Sequence, residues 1–177
     1  LFKPQFVADA IAAAKALAAK TRDTDLSLVL PTVWLEGGSL FNSVVLAEDG
    51  AIIDVRHKRE LPNDDVFYEK RYFRAGALPE PVTIKGVTIG LPICEDIWHE
   101  PVCATLADAG AEIFLCPNGS PYWANKHHIR RDLVRARCRE TGVPMLYLNQ
   151  VGGQDELVFD GASFGMDRDG KLVFEGE

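Results

Sequence analysis

The sequence predicts an α/β fold with a mixed sheet. Short apolar runs of strand length outnumber helical segments, Asp-Gly turns join some of those runs as antiparallel hairpins, and strand-helix-strand units join others. A chain of 177 residues, 47% hydrophobic and 25% charged, is long enough to bury one core and too short for two large domains.

Pro4 suits a first helical turn, and Phe6, Ile11, Ala14 and Leu17 recur near helical spacing, which predicts an amphipathic helix over 6–20. Residues 26–30 form a strand-length apolar run. The runs 44–46 and 52–55 flank Asp49-Gly50 and predict a tight hairpin, because both central residues of that turn need positive φ. Residues 59–81 are irregular and proline-rich yet carry Phe67, Tyr68, Tyr72 and Phe73, which marks a packed, functional loop. A second hairpin joins 82–84 to 87–93 through Lys85-Gly86. Residues 101–109 predict a short helix closed by Gly110, followed by a strand at 113–115. The alternation repeats with a basic helix over 125–140 stopped by Gly142, a strand at 145–148, and a hairpin of 163–166 with 172–174 around Asp169-Gly170. Helices are expected to cover the sheet faces.

The net charge is −7, which excludes a nucleic-acid partner bound by neutralising phosphates. No apolar run approaches the ~20 residues that span a bilayer, so no membrane partner is expected. Cys94, Cys103, Cys116 and Cys138 form no CxxC pair and match no metal-binding spacing, which predicts no metal and a reduced, cytoplasmic compartment. The first residue is Leu1, and the last residues run straight out of a hairpin. Residues 1–177 are therefore expected to be one domain truncated at both ends.

Cys94 ends the apolar run 87–93 and is followed by a bend through Glu95 and Asp96. A side chain at the carboxyl end of a strand is held at the rim where α/β sheets bind ligands, and the Glu95 amide is then placed to donate to an oxyanion. The competing reading of Cys94 is a structural core cysteine. That reading prevails for Cys103 and Cys138, on helices, and for Cys116, which precedes Pro117. A nucleophilic cysteine needs a base or cation nearby in space. His99 lies beyond a turn, and the adjacent His127 and His128 face different sides of a helix. Lys58 opens the aromatic loop and reads either as a solvated charge or as a lysine held inside.

Four strings then resemble one family: His57-Lys58-Arg59-Glu60-Leu61-Pro62-Asn63, Val66-Phe67-Tyr68-Glu69-Lys70-Arg71-Tyr72-Phe73, Ile93-Cys94-Glu95-Asp96-Ile97-Trp98, and Asn118-Gly119-Ser120-Pro121-Tyr122. They are similar to the carbon-nitrogen hydrolase, or nitrilase, superfamily. More narrowly, Cys-Glu-Asp-Ile-Trp and the string from Asn149-Gln150-Val151-Gly152-Gly153 to Phe159-Asp160-Gly161 resemble the glutaminase domains of glutamine-dependent NAD synthetases. The likeness covers essentially the whole chain.

The resemblance implies a four-layer α-β-β-α sandwich, seen here as an incomplete domain, and a Glu-Lys-Cys triad. Cys94 corresponds to the nucleophile, Lys58 to the oxyanion-stabilising lysine, and Glu69 to the second, supporting glutamate. The base glutamate is expected upstream of Leu1. The implied reaction is hydrolysis of glutamine's side-chain amide through a cysteine thioester, delivering ammonia to an ATP-dependent synthetase domain that converts deamido-NAD to NAD. No cofactor is expected in the present domain; ATP and Mg belong to the synthetase domain, the expected partner on the C-terminal side, and the whole is expected to be a homo-oligomer. The Gly119-Ser120 turn lets a hydroxyl approach a substrate amino acid, and Lys126 and Arg130 offer charge for its carboxylate, against the alternative of a solvated helix face. The chain departs from the family pattern at Asp64-Asp65, where Tyr-Gly is common, and at Tyr68, where an aspartate is common, which bears on the aromatic wall of the amide pocket. Two other readings are a free-standing carbon-nitrogen hydrolase of the omega-amidase or carbamoylase type and a catalytically dead nitrilase-like assembly domain.

Overall fold

Three sheets organise the described residues, one in the unit Leu1–Ala77 and a large and a small one in the unit Leu78–Glu177. The computed structural model describes residues 1, 3–64 and 66–176.

In the first unit, α1 (Pro4–Ala19) lies against an antiparallel sheet of β1 (Leu28–Glu36), β2 (Ser39–Glu48) and β3 (Ala51–His57), with β2 in the centre. The helix begins at Pro4, where no N–H is needed. The buried stripe is Val7, Ala14 and Ala18, whereas Phe6 and Leu17 of the expected face are exposed. Alanine's small side chain lets the helix approach the sheet closely, so the stripe follows the alanines rather than the largest side chains. At the helix end Thr21 Oγ1 donates to Ala18 O and accepts the Gly50 N–H at 2.9 Å. Asp49 and Gly50 take the positive φ values that their turn requires.

Strand β1 runs well past the expected 26–30, because Pro31 sits on an edge strand, where its missing N–H breaks no ladder. The β1–β2 connection is Gly37-Gly38, both left-handed, a hairpin turn beyond those expected from Asp-Gly and Lys-Gly pairs.

The second unit is a six-stranded mixed sheet in the order β11-β10-β7-β6-β5-β4. Its strands are β4 (Val82–Ile84), β5 (Val87–Gly90), β6 (Ile113–Asn118), β7 (Met145–Asn149), β10 (Phe164–Met166) and β11 (Leu172–Glu175). Strands β5, β6 and β7 are parallel, linked by α2 (Glu100–Asp108) and α3 (Lys126–Thr141), and antiparallel strands flank them. Both helices cover the same face. Val102, Cys103 and Leu106 of α2 and Val134 and Cys138 of α3 pack with Phe114, Cys116, Met145, Tyr147, Phe164 and Met166 of the strands. The expectation that helices cover both faces fails in this unit: Leu146, Leu148 and Phe174 are exposed. A small hairpin, β8 (Val151–Gln154) with β9 (Leu157–Asp160), was not anticipated, since Gly-Gly-Gln carries no strand signal.

Strand β5 stops at Gly90, three residues short of the expected end. Pro92 cannot donate to a ladder, and an extended segment carries the chain to Cys94.

Candidate active site

Cys94 opens a 3-10 turn, Cys94–Trp98, and holds φ at +46°, a left-handed conformation that costs a non-glycine residue about 1–2 kcal/mol. Such strain persists only where neighbouring groups fix it. The fixing group is Asp96, 1% exposed, whose Oδ2 accepts the Ile93 N–H at 2.9 Å while its own N–H donates to Ile93 O at 3.0 Å. These reciprocal bonds lock a bend that projects residue 94 out of the strand direction. In the sequence, the signal for this bend is an acidic residue two positions after a strand-end cysteine.

The other three cysteines are buried and Cys94 is not, and none of the four forms a disulfide. Burial pushes the Cys103 thiol up to about 12 and the Cys138 thiol up to about 11, and it raises Cys116 well above its ordinary value. Those thiols stay protonated at neutral pH and are poor nucleophiles. His99 Nε2 lies 3.5 Å from Glu95 Oε1 at the surface, which leaves it facing Glu95.

Beyond the ends of β6 and β7 sits a second set of groups. Asn118 and Asn149 are paired as the last residues of those parallel strands. Asn149 Oδ1 accepts the Ser120 N–H at 2.9 Å, and its Nδ2 donates to Ser120 O and Gly161 O. Ser120 is thereby fixed by backbone clamping and is itself buried. Lys126 starts α3 with its ammonium 4.7 Å from the Trp123 ring centroid and 5.4 Å from that of Trp98, a cation–π seat.

Arg130 lies elsewhere than expected. It is 1% exposed, with Nη1 on both oxygens of Asp160 at 2.8 and 3.0 Å, Nη2 on Ser120 O and Pro121 O, and Nε on Ser120 Oγ at 3.1 Å. A guanidinium engaged on every nitrogen and neutralised by a carboxylate is no open cation for a substrate; it stands behind Ser120.

In the first unit, Lys58 follows β3 directly and is 1% exposed, so the lysine is held inside. Its Nζ donates to Glu69 Oε1 at 2.8 Å, and Asn42 Nδ2 reaches both Glu69 oxygens at 3.4 Å. Its backbone is gripped on both sides, by Asn42 O and by the Gly76 N–H, each at 2.8 Å. The preceding His57 bonds Ser43 Oγ through Nδ1 and Glu36 through Nε2, and stacks on Phe41. Of the departures from the family pattern, Tyr68 is 61% exposed and Asp65 lies outside the described residues.

Among the described residues, no group of His, Cys, Asp and Glu side chains is arranged to hold a metal ion, and no helix is long and apolar enough to cross a membrane.

Residues 2–176 match the family described as carbon-nitrogen hydrolase. The chain belongs to the carbon-nitrogen hydrolase family. It is 43% identical over 175 residues to a glutamine-dependent NAD(+) synthetase of Rhodobacter capsulatus, covering 99% of this chain and 32% of that protein. The structure of a glutamine-dependent NAD+ synthetase from Acinetobacter baumannii, solved with ADP, superposes with a TM-score of 0.90 at 31% identity, over 98% of this chain and 33% of that one. The chain thus spans about a third of the length of these relatives. A mutant of the amidase from Nesterenkonia sp. AN1, TM-score 0.84 at 25% identity over 96% of this chain and 64% of that one, shows covalent addition of the acetamide moiety of fluoroacetamide at its active site cysteine. These likenesses agree with the α/β, mixed-sheet architecture expected of a nitrilase-like fold.

Proposed function

We propose that this chain is the glutaminase portion of a glutamine-dependent NAD synthetase, with Cys94 as its nucleophile. The observation that carries the reading is the Cys94 turn: the one cysteine outside the buried core occupies a strained, doubly bonded bend in a member of the carbon-nitrogen hydrolase family. The match at 43% and 40% identity to glutamine-dependent NAD(+) synthetases along nearly the whole chain favours glutamine over other amides.

In the proposed reaction the Cys94 thiol gives its proton to the base carboxylate that the family resemblance supplies, and Sγ attacks the side-chain amide carbon of glutamine. Lys58 contributes positive charge to the resulting oxyanion, Glu69 holds that ammonium, and the Glu95 amide donates a hydrogen bond. The carbon–nitrogen bond breaks as the base returns the proton to the leaving nitrogen, releasing ammonia and a γ-glutamyl thioester. Water then cleaves the thioester to glutamate and restores the thiol. Ser120 and Lys126 bind the amino-acid end of the substrate, and the ammonia serves an ATP- and Mg-dependent synthetase domain that makes NAD from deamido-NAD. The reading includes a cytoplasmic homo-oligomer, in keeping with cysteines outside disulfides.

The test is nitrogen transfer in the intact protein. With deamido-NAD, ATP and glutamine labelled with nitrogen-15 in its amide, the label is expected in the NAD product. Ammonia release without any transfer to deamido-NAD would support instead a carbon-nitrogen hydrolase acting alone.

A further inference from the structure

The Arg130–Asp160 pair is unused by the chemistry above, although a buried charge pair costs several kcal/mol of desolvation and is poor evidence of stability by itself. Its contacts have a direction. Asp160 takes Nη1, the backbone carbonyls of Ser120 and Pro121 take Nη2, and Nε is left to donate to Ser120 Oγ. A guanidinium only donates, so the serine oxygen must accept there, and its own proton has to point away from Arg130. Asn149 holds the same serine's N–H and carbonyl, so rotation about its side-chain bond is the freedom that remains. Tyr147, stacked on Phe164, shares a side-chain hydrogen bond with the same serine, and burial, the larger influence on its phenol, raises it so that it stays protonated.

We propose that Arg130, held by Asp160, is a positioning residue that turns the Ser120 proton away from itself and toward an anionic oxygen of the substrate, and so sets affinity rather than turnover. The proposal rests on the reading of Ser120 as a substrate contact. It explains why a carboxylate stands 30 residues from the arginine in sequence yet bonds it with both oxygens.

A double-mutant cycle in the intact protein tests this, with KM and kcat for glutamine hydrolysis as readouts. Ser120→Ala is expected to raise KM about tenfold, the factor for one hydrogen bond to a charged group. Asp160→Asn, at a side chain 23% exposed, is expected to raise KM roughly threefold to tenfold with kcat within about twofold, and to have almost no effect on the Ser120→Ala background. Arg130→Lys, which keeps the charge but cannot serve Asp160 and Ser120 Oγ together, is expected to copy Asp160→Asn and gives the same test if that variant folds poorly. Multiplicative effects of Asp160→Asn and Ser120→Ala, or a fall in kcat at unchanged KM, would overturn the positioning role and leave the proposed function standing. Loss of the Ser120→Ala effect itself would overturn both the serine contact and the inference. Glutamine hydrolysis surviving in Cys94→Ala would overturn the proposed function separately.

Discussion

Lys58 Nζ donates to Glu69 Oε1 across 2.8 Å, with the lysine side chain 1% exposed and the glutamate 14%. Asn42 reaches both oxygens of the same carboxylate, so Glu69 is oriented as well as charged. Burying an ammonium is costly, and a fixed counter-charge is what makes it tolerable.

Removing either partner separates charge from bulk. Lys58→Met is expected to lower glutamine hydrolysis by ~100 to 1000-fold, the usual loss for one oxyanion-stabilising group. Glu69→Gln is expected to act less strongly, because the amide keeps a hydrogen-bond acceptor for the ammonium while the counter-charge is lost. Unchanged glutamine hydrolysis in Glu69→Gln would separate the glutamate from the lysine's charge.

Gly76 is pressed against the chain just before Lys58. A Cβ there would meet His57 O at 2.7 Å and His57 Cβ at 2.8 Å. Gly76→Ala is expected to destabilise the protein by about 1–3 kcal/mol and to lower turnover by displacing Lys58. Urea unfolding and steady-state rates on the same preparation check both effects, and full activity with full stability would contradict the tight approach.

The buried thiols make a pH-dependent contribution. Folding raises Cys103 from 9.0 to about 12 and Cys138 from 9.0 to about 11. The neutral thiol is the form that folding favours, so this contribution is complete below pH 9 and is lost as pH rises through those windows, at up to about 1.4 kcal/mol per pH unit for each thiol. Urea midpoints measured at pH 8, 9.5 and 11 are expected to fall steeply above 9, and Cys138→Ala is expected to flatten the slope.

The strain at Cys94 has its own signature. Glycine takes a positive φ freely, so Cys94→Gly is expected to be more stable than Cys94→Ala by about 1 kcal/mol, reversing the usual preference for alanine. Thermal melts of the two variants decide it.

The sequence revealed the bend at Cys94 and the lysine after β3, because each follows a compact apolar run and lies in a string with a family resemblance. It concealed what fixes them. Asp96 looked like part of a charged turn, and the bond from Arg130 to Asp160 spans a separation that no local spacing encodes. Asn149 clamps Ser120 from 29 residues away. Errors at element edges had local causes: Pro31 is tolerated on an edge strand, and Pro92 ends the ladder before Cys94.

The central claim is a γ-glutamyl thioester on Cys94. Acid quenching the intact protein during steady-state turnover of isotope-labelled glutamine, followed by peptide mapping, tests it directly. The label is expected on the peptide containing Cys94, lost on mild alkaline treatment and absent in Cys94→Ala. Label on Cys103, Cys116 or Cys138, or turnover persisting in Cys94→Ala, would contradict it.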